Sequence, residues 1–97
     1  MLQIVQGDIF EVSFELCGID RVAIEKVVFS SKSLGISEAA VFAEDKHIVR
    51  LESDRTANIP PGFSFYDLTI VFIDGQRLTA KRNEIVEVLK KENKADG

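Results

Sequence analysis

The stretch NIPPGFSFYDLTIVFIDGQRL, residues 58–78, decides the fold class of this 97-residue chain. From Phe63 to Ile73 the side chains follow the two-residue period that a β-strand imposes. One face carries Tyr66, Leu68, Ile70 and Phe72. The other face is mixed at its centre and apolar at both ends, which is typical of a strand that lies centrally or under another layer. We therefore predict a long strand over residues 63–73.

The dipeptide Asp74-Gly75, directly after this strand, indicates a hairpin. A two-residue type I′ turn needs positive φ at both central residues, and Asp-Gly is a favoured pair there. We predict the returning strand at Arg77–Lys81. The segment after it, residues 83–89, fits either a helix that begins near Asn83 or a further strand. We prefer the strand, because one more strand can close a meander of short strands.

Four further strands and one helical turn are predicted from the rest of the chain. The strands are runs that alternate in polarity or are rich in β-branched and aromatic residues. They span Phe10–Leu16, Ala23–Ser31, Ala39–Ala43 and Lys46–Glu52. Ser53 or Asp54 is expected to cap the helical turn, which Pro60 and Pro61 stop. About seven short strands separated by turn signals predict an all-β fold, an antiparallel, immunoglobulin-like β-sandwich.

Length, charge and local composition restrict the class of protein. A chain of 97 residues forms one domain, which we place at residues 1–89, followed by a disordered tail at residues 90–97. The net charge of -4 opposes binding to a phosphate backbone, so no nucleic-acid partner is expected. No apolar run approaches the roughly 20 residues of a membrane helix, and no signal-peptide pattern is present. We therefore expect no membrane partner and a cytoplasmic location.

The residue types that usually carry chemistry occur without the neighbours they need. His47, the single histidine, shares a strand face with Val49 and Leu51, and no motif places a nucleophile or an orienting carboxylate beside it. Cys17, the single cysteine, ends a strand and is interpreted as a half-buried, inert thiol. No calcium loop or phosphate-binding glycine loop occurs. We therefore predict no catalytic residue, no cofactor and no metal site, and we do not expect an enzyme.

Phe63 and Phe65 are the residues for which a binding role is considered. They share a strand face with Asp67 and Thr69, a mixed environment that fits either core packing or an exposed patch. As an exposed patch, the two rings would offer an apolar surface to a partner or a platform on which a sugar stacks. The pair is therefore the candidate interaction surface, whereas Tyr66 on the opposite face is interpreted as core.

The order of these segments also resembles a known family. A Gly-Asp pair opens the first long strand, a Gly, aromatic, Tyr-Asp-hydrophobic run follows the midpoint, and a Gly-containing hairpin leads to the last strands. The residues that carry this pattern are Gly7, Asp8, Gly62, Phe65, Tyr66, Asp67, Leu68, Asp74 and Gly75. With them, residues 3–88 resemble the immunoglobulin-like N-terminal domain of the phage baseplate upper protein family and of related small prophage tail-region proteins.

The resemblance implies a phage or prophage structural protein, a tail or baseplate assembly module that acts through protein-protein contacts and not as an enzyme. Its partners would be copies of itself or phage tail proteins, so a homo-oligomer is one expected form. It would act in the cytoplasm during assembly and can end in the virion. The motif residues are expected to be structural, with Asp67 ordering the strand of Tyr66. The alternative is a small carbohydrate-binding or other ligand-binding β-sandwich module.

Overall fold

The computed structural model describes residues 1–91, so residues 92–97 of the predicted tail lie outside the described residues. Within residues 1–91 the chain forms eight strands, a 3-10 turn at Arg21–Ala23 and one short helix, α1, at Ser53–Thr56. The strands are β1 Leu2–Val5, β2 Phe10–Phe14, β3 Ile24–Ser31, β4 Ile36–Ala39, β5 Val41–Ala43, β6 Lys46–Leu51, β7 Gly62–Phe72 and β8 Arg77–Leu89. This part of the chain contains no helix of the length and hydropathy needed to cross a membrane.

The strands form two sheets, which confirms the predicted all-β sandwich. Five strands are hydrogen-bonded in the order β1-β8-β7-β3-β4, and the other three in the order β2-β6-β5. Neighbouring strands pair antiparallel. The exception is β1, which runs parallel to the end of β8, with Leu2 opposite Val86 and Val5 opposite Leu89. The prediction of antiparallel pairing is therefore wrong for β1 and β8, at one edge of the larger sheet.

The core lies between the two sheets and is built from alternate residues of the strands. Phe29 of β3 is fully buried and stacks on Tyr66 of β7, with 4.8 Å between the ring centroids. The buried aliphatic residues around them include Ile4, Val27, Val49, Leu51, Leu68, Ile70, Val86 and Val88. The inward face predicted for residues 63–73 is confirmed, although Phe72 at its end is only partly buried. Each large apolar side chain buried here contributes about 1.5–3 kcal/mol to the free energy of unfolding.

Several strand boundaries differ from those predicted. The sequence pattern misses β1, whose residues become a strand by pairing with β8. The single strand predicted at Ala39–Ala43 corresponds to parts of two strands, β4 and β5, which belong to different sheets. The strands predicted at Arg77–Lys81 and at residues 83–89 are one continuous strand, β8, of 13 residues. The preference for a strand over a helix at residues 83–89 is thereby confirmed.

The hairpin turn between β7 and β8 differs from the predicted one. Gly75 has a left-handed φ of 92°, but Asp74 does not have a positive φ. The Gly75 N–H donates to the Phe72 carbonyl at 2.9 Å, and the Phe72 N–H donates to the Gln76 carbonyl at 2.8 Å. This is a three-residue connection that needs glycine only at its last position, so the predicted type I′ turn at Asp74-Gly75 is wrong.

The connection between β5 and β6 adopts the type I′ geometry that is predicted for the β7–β8 hairpin. Glu44 and Asp45 have φ values of 54° and 62°, the successive positive values of a type I′ turn. Helix α1 follows β6 where a helical turn is predicted, with Glu52 at its N-cap position and no side-chain cap. The cap predicted from Ser53 or Asp54 is therefore wrong.

Candidate interaction surface

Phe63 and Phe65 lie on the outer face of the five-stranded sheet, the face that points away from the core. In the pairing of β7 with β8, Phe63 is opposite Glu87 and Phe65 is opposite Ile85. Residues directly opposite each other in an antiparallel pair point to the same side of the sheet. The two phenyl rings and Ile85 therefore share one surface, which we call the outer patch.

The outer patch is open to solvent. Phe63 is 69% exposed, Phe65 is 55% exposed and Ile85 is 47% exposed. Within residues 1–91, no other layer covers these rings. Of the two environments considered for Phe63 and Phe65, core packing is therefore wrong and the exposed patch is correct. Three large apolar side chains on adjacent strands are a contiguous patch, and such patches on a protein surface commonly mark interaction sites.

Polar groups border the outer patch on the side of β1. Gln3 of β1 is opposite Glu87 of β8, and its amide nitrogen donates to the Glu87 carboxylate at 3.1 Å. Farther along β7 the face carries Thr69, opposite Thr79 of β8. The apolar patch therefore has a polar border at its β1 side and a polar stretch at its other end, which is the common arrangement of an interface core and rim.

Asp67 orders the strand pair beside the patch. Between the pairs Tyr66 with Glu84 and Leu68 with Lys81, β7 has one residue and β8 has two, so β8 bulges there. Asn83 in this bulge has a φ of 53°, and its N–H donates to Asp67 Oδ1 at 2.7 Å. The carboxylate takes the place of a ladder partner for that backbone N–H. A structural role for Asp67 is thus visible in the geometry.

A groove of about 500 Å³ runs beside the outer patch. Phe65 borders it, together with Ser30, Asp67, Asn83 and Lys32. Phe63 is not among its lining residues. An aromatic face next to hydroxyl, carboxylate and amide groups has the mixed character of a small-ligand site. The two phenylalanines therefore differ in what they can contact.

Tyr66 is a core residue, as its strand face predicts. It is 6% exposed, and its ring stacks on Phe29. Burial raises the pKa of the Tyr66 hydroxyl, and the charge of Glu84 raises it further. The side chain points away from Phe63 and Phe65, so it takes no part in the outer patch.

Gly7 and Asp8 form the turn between β1 and β2, and Thr56 of α1 holds that turn in place. Gly7 has a φ of 84°, which a residue with a side chain adopts only with strain. The Thr56 hydroxyl accepts from the Gly7 N–H at 3.1 Å and donates to the Asp8 carbonyl at 2.7 Å. Sequence reasoning missed Thr56. A single buried threonine at the end of the four-residue helix α1 gives no periodic signal, and its partners are 48 and 49 residues away in the chain.

The remaining motif residues have local structural roles. Gly62 begins β7 with a φ of 117° and pairs with Val88. Asp74 in the β7–β8 turn accepts a hydrogen bond from the Gln76 N–H at 2.9 Å, and Gly75 supplies the left-handed residue that closes the turn. The motif positions are therefore spread over the fold and do not meet in one site.

His47 and Cys17 lie apart from the outer patch. His47 is only 7% exposed on the core face of β6, and burial, followed by the charge of Arg21, lowers the pKa of its imidazole. Cys17 is exposed, which corrects its interpretation as half-buried: β2 ends at Phe14, so Cys17 lies in the following loop and not on the strand. Among residues 1–91, no three His, Cys, Asp or Glu side chains form a group that could hold a metal ion.

Comparison with known proteins adds no family to these observations. No family model matches the sequence, and no curated protein matches it significantly.

Proposed function

We propose that this chain is a non-enzymatic assembly module that binds other proteins, copies of itself or neighbouring proteins, through the outer patch. The observation that carries the proposal is the exposed pair Phe63 and Phe65, extended by Ile85 on the adjacent strand. Phenylalanine rings held on a sheet lose little conformational freedom when a partner covers them. Burial of each ring contributes about 1.5–3 kcal/mol to association.

The biological setting that we propose is a phage or prophage tail or baseplate, with assembly in the cytoplasm and a place in the virion. The resemblance of residues 3–88 to the baseplate upper protein family supports this setting. The strand order also supports an immunoglobulin-like sandwich, in which one sheet contains strands B, E and D and the other contains G, F and C, with C′ added in variable-type domains. When β1 to β8 are labelled A′, B, C, C′, D, E, F and G in chain order, the smaller sheet has the order B-E-D. The larger sheet then has the order A′-G-F-C-C′.

Replacement of both rings tests the assembly proposal. We expect the double variant Phe63→Ser, Phe65→Ser to fold, because both side chains are exposed, and to weaken association by about 100-fold or more, since each ring contributes about 1.5 kcal/mol or more. Sedimentation velocity over a concentration series measures self-association. Co-purification with the products of the adjacent genes measures binding to neighbours, and genes for tail or portal proteins on either side would support the phage setting.

A matched control separates the outer patch from general surface hydrophobicity. Val22 is 72% exposed and Ile73 is 69% exposed, and they lie near each other because the Ile73 N–H donates to the Ala23 carbonyl at 3.0 Å. The double variant Val22→Ser, Ile73→Ser should leave association unchanged. Equal association of the wild-type protein and the Phe63→Ser, Phe65→Ser variant would contradict the proposal.

A second candidate function, binding of a carbohydrate or another small polar ligand, is favoured by the groove beside Phe65. The ring of Phe65 and the side chains of Ser30, Asp67 and Asn83 line the same opening, so a sugar stacked on the ring could bond to the polar groups. This function predicts that glycan-array binding is lost in Phe65→Ala and kept in Phe63→Ala. The absence of binding by wild-type protein across the array would leave assembly as the proposal.

A further inference from the structure

A pocket of about 170 Å³ opens between the two sheets, remote from Phe63 and Phe65. Its inner wall contains Val27 of β3, His47 of β6 and Ala40, which connects β4 to β5. Arg21 of the 3-10 turn and Phe42 of β5 contribute the other side. The pocket therefore depends on the packing of one sheet against the other, and none of its lining residues belongs to the outer patch.

His47 presents an unpaired imidazole in this pocket. The residue is 7% exposed, and within residues 1–91 neither ring nitrogen has a hydrogen-bond partner. Neither nitrogen is sealed from solvent, since no buried side-chain nitrogen or oxygen in the described chain is left without a partner. An imidazole whose nitrogens are unpaired and reachable from a cavity is available to form a hydrogen bond with a ligand in that cavity.

Arg21 is held beside His47 by an aromatic ring. Its guanidinium carbon lies 4.2 Å from the ring centroid of Phe42. The Phe42 ring centroid is in turn 4.9 Å from that of His47. A guanidinium positioned over an aromatic face keeps its N–H groups at the ring edge free to bind an anion. The geometry thus brings one permanent cation and one titratable nitrogen base to the same pocket.

The charges lining the pocket favour a single negative charge. Arg21 and Lys26 are cations and Glu25 is an anion, which leaves one net positive charge when His47 is neutral. β5 and β6 add no other charged group to the lining. A monoanion is balanced by this set, whereas a dianion such as sulfate would leave an excess of negative charge next to Glu25. The remaining lining residues, Ile24 among them, are apolar and carry no charge.

We propose that this pocket binds a small carboxylate, with the Arg21 guanidinium as its main partner and the His47 imidazole as a hydrogen-bond donor. A planar guanidinium matches the two oxygens of a carboxylate in a bidentate pair. The carboxylate is carried either by an acidic side chain of a bound protein or by a free short-chain acid. Glu25 opposes a second negative charge and so contributes to selectivity for monoanions.

Carboxylate binding is coupled to protonation of His47. Burial and the charge of Arg21 lower the imidazole pKa. A bound carboxylate neutralises the charge of Arg21 and accepts a hydrogen bond, so it raises that pKa again. By linkage, affinity for the carboxylate then increases as the pH falls through the histidine titration.

Proton NMR of the imidazole tests the proposal directly, because His47 is the one histidine of the chain. Acetate serves as a free acid and N-acetylglutamic acid α-amide as a model of a partner's acidic side chain, each against chloride at equal ionic strength. We expect a saturable shift of the imidazole resonances and a higher His47 pKa with at least one of the two. The tighter of them identifies the source of the carboxylate.

Variants at exposed positions should fold as the wild type does, so a change in carboxylate binding can be assigned to the replaced side chain. Arg21→Gln should weaken carboxylate binding by about tenfold or more, since it removes a charge-assisted hydrogen-bond donor. Arg82→Gln, at an arginine on β8 outside the pocket lining, should leave binding unchanged. The Phe63→Ser, Phe65→Ser variant should also keep the full response, because the pocket does not depend on the outer patch.

Three results would overturn the proposal. The first is the absence of a saturable imidazole shift with either carboxylate in the wild-type protein. The second is an equal loss of binding in Arg21→Gln and Arg82→Gln. The third is saturation by inorganic phosphate at lower concentration than by either carboxylate, which would mean that the pocket selects a different anion.

Discussion

The Tyr66 side chain packs in the core and also borders a groove at the protein surface. Its ring stacks on Phe29 in the core, and it also borders a groove of about 520 Å³ together with Leu2, Lys81 and Glu84. The groove lies beside the part of β8 that comes before its pairing with the short strand β1. Since the chain has no other tyrosine, the absorbance of the phenol reports this one position.

We predict that Tyr66 ionises at higher pH in the native protein than in the unfolded chain. Its pKa is raised from the ordinary value of 10.0 mainly by burial and to a smaller extent by Glu84. Because the native state disfavours the phenolate, the unfolded chain loses its proton first, and native stability falls as the pH rises above the unfolded pKa. Ultraviolet absorbance titrations in buffer and in concentrated urea give the two midpoints.

The variant Glu84→Gln separates the two causes of this shift. Removal of the carboxylate charge should lower the native midpoint only slightly, because burial is the larger cause. Coincident midpoints in buffer and in urea would contradict the buried position of Tyr66. A native midpoint in Glu84→Gln that equals the urea value would contradict burial as the main cause.

The first and last parts of strand β8 pair with different neighbouring strands. Its residues 86–88 pair with both β1 and β7, and Leu89 pairs with β1, whereas within residues 1–91 the earlier part pairs with β7 alone. The ladder shifts register twice, between Tyr66 and Leu68 and between Leu68 and Thr69. Bulges bend a strand and interrupt the regular row of backbone groups on its edge. These bulges therefore limit pairing of another chain with the exposed part of β8.

We predict that Asp67 stabilises the β7–β8 pair through the bulge at Asn83. Asp67→Ala removes the acceptor of the Asn83 N–H and should lower the free energy of unfolding by about 1–2 kcal/mol. Asp67→Asn keeps an oxygen at the same position and should cost less. Urea unfolding of the three proteins, followed by circular dichroism, measures the differences. Equal stability of Asp67→Ala and wild type would show that the hydrogen bond contributes nothing net.

At the scale of the whole molecule, the sandwich carries an apolar patch on the outer face of one sheet and a histidine on the inner face of the other. Phe63 and Phe65 point outward from the larger sheet, while His47 of the smaller sheet lies on the inner face. The buried imidazole links the stability of the entire sandwich to pH. Its neutral form is favoured by burial and by Arg21, and protonation puts a second cation next to that arginine.

We predict that the free energy of unfolding increases with pH across the histidine titration. The pKa of His47 in the native state lies below its ordinary value of 6.5, so in the unfolded chain the imidazole binds a proton at higher pH than in the native state. Stability is therefore lost as the pH falls through 6.5, until the native imidazole is protonated as well. Urea unfolding of the wild type between about pH 5 and pH 7.5 measures the slope.

The His47→Gln variant provides the reference for this pH dependence. It keeps every other ionisable group of the chain, so the difference between the two profiles isolates the imidazole. The wild type should lose more stability than His47→Gln as the pH falls through 6.5. Parallel profiles over the whole range would contradict the lowered pKa of His47.

The β-rich fold and the face of each main strand could be predicted from the sequence, because alternation is a local property. Residues 63–73 show it, and so does the run from Lys46 to Leu51, whose alternation correctly predicts that His47 shares a face with Val49 and Leu51. The candidate surface at Phe63 and Phe65 follows from the same alternation. A period of two residues separates the faces of a strand, but it does not say which face is covered.

The remaining features depend on contacts between residues that are distant in the chain. β1 is a strand because it meets β8, 84 residues away, and Asn83 takes a positive φ where Asp67 meets its N–H. The Asp-Gly signal at residues 74–75 correctly predicted a turn but gave the wrong turn type. The exposure of the outer patch and the meeting of Arg21 with His47 likewise arise only when the sheets pack. Alternation along the chain thus determined the strands and their faces, and tertiary packing decided which face is open and which distant side chains share a pocket, since burial and contact are properties of the assembled sheets.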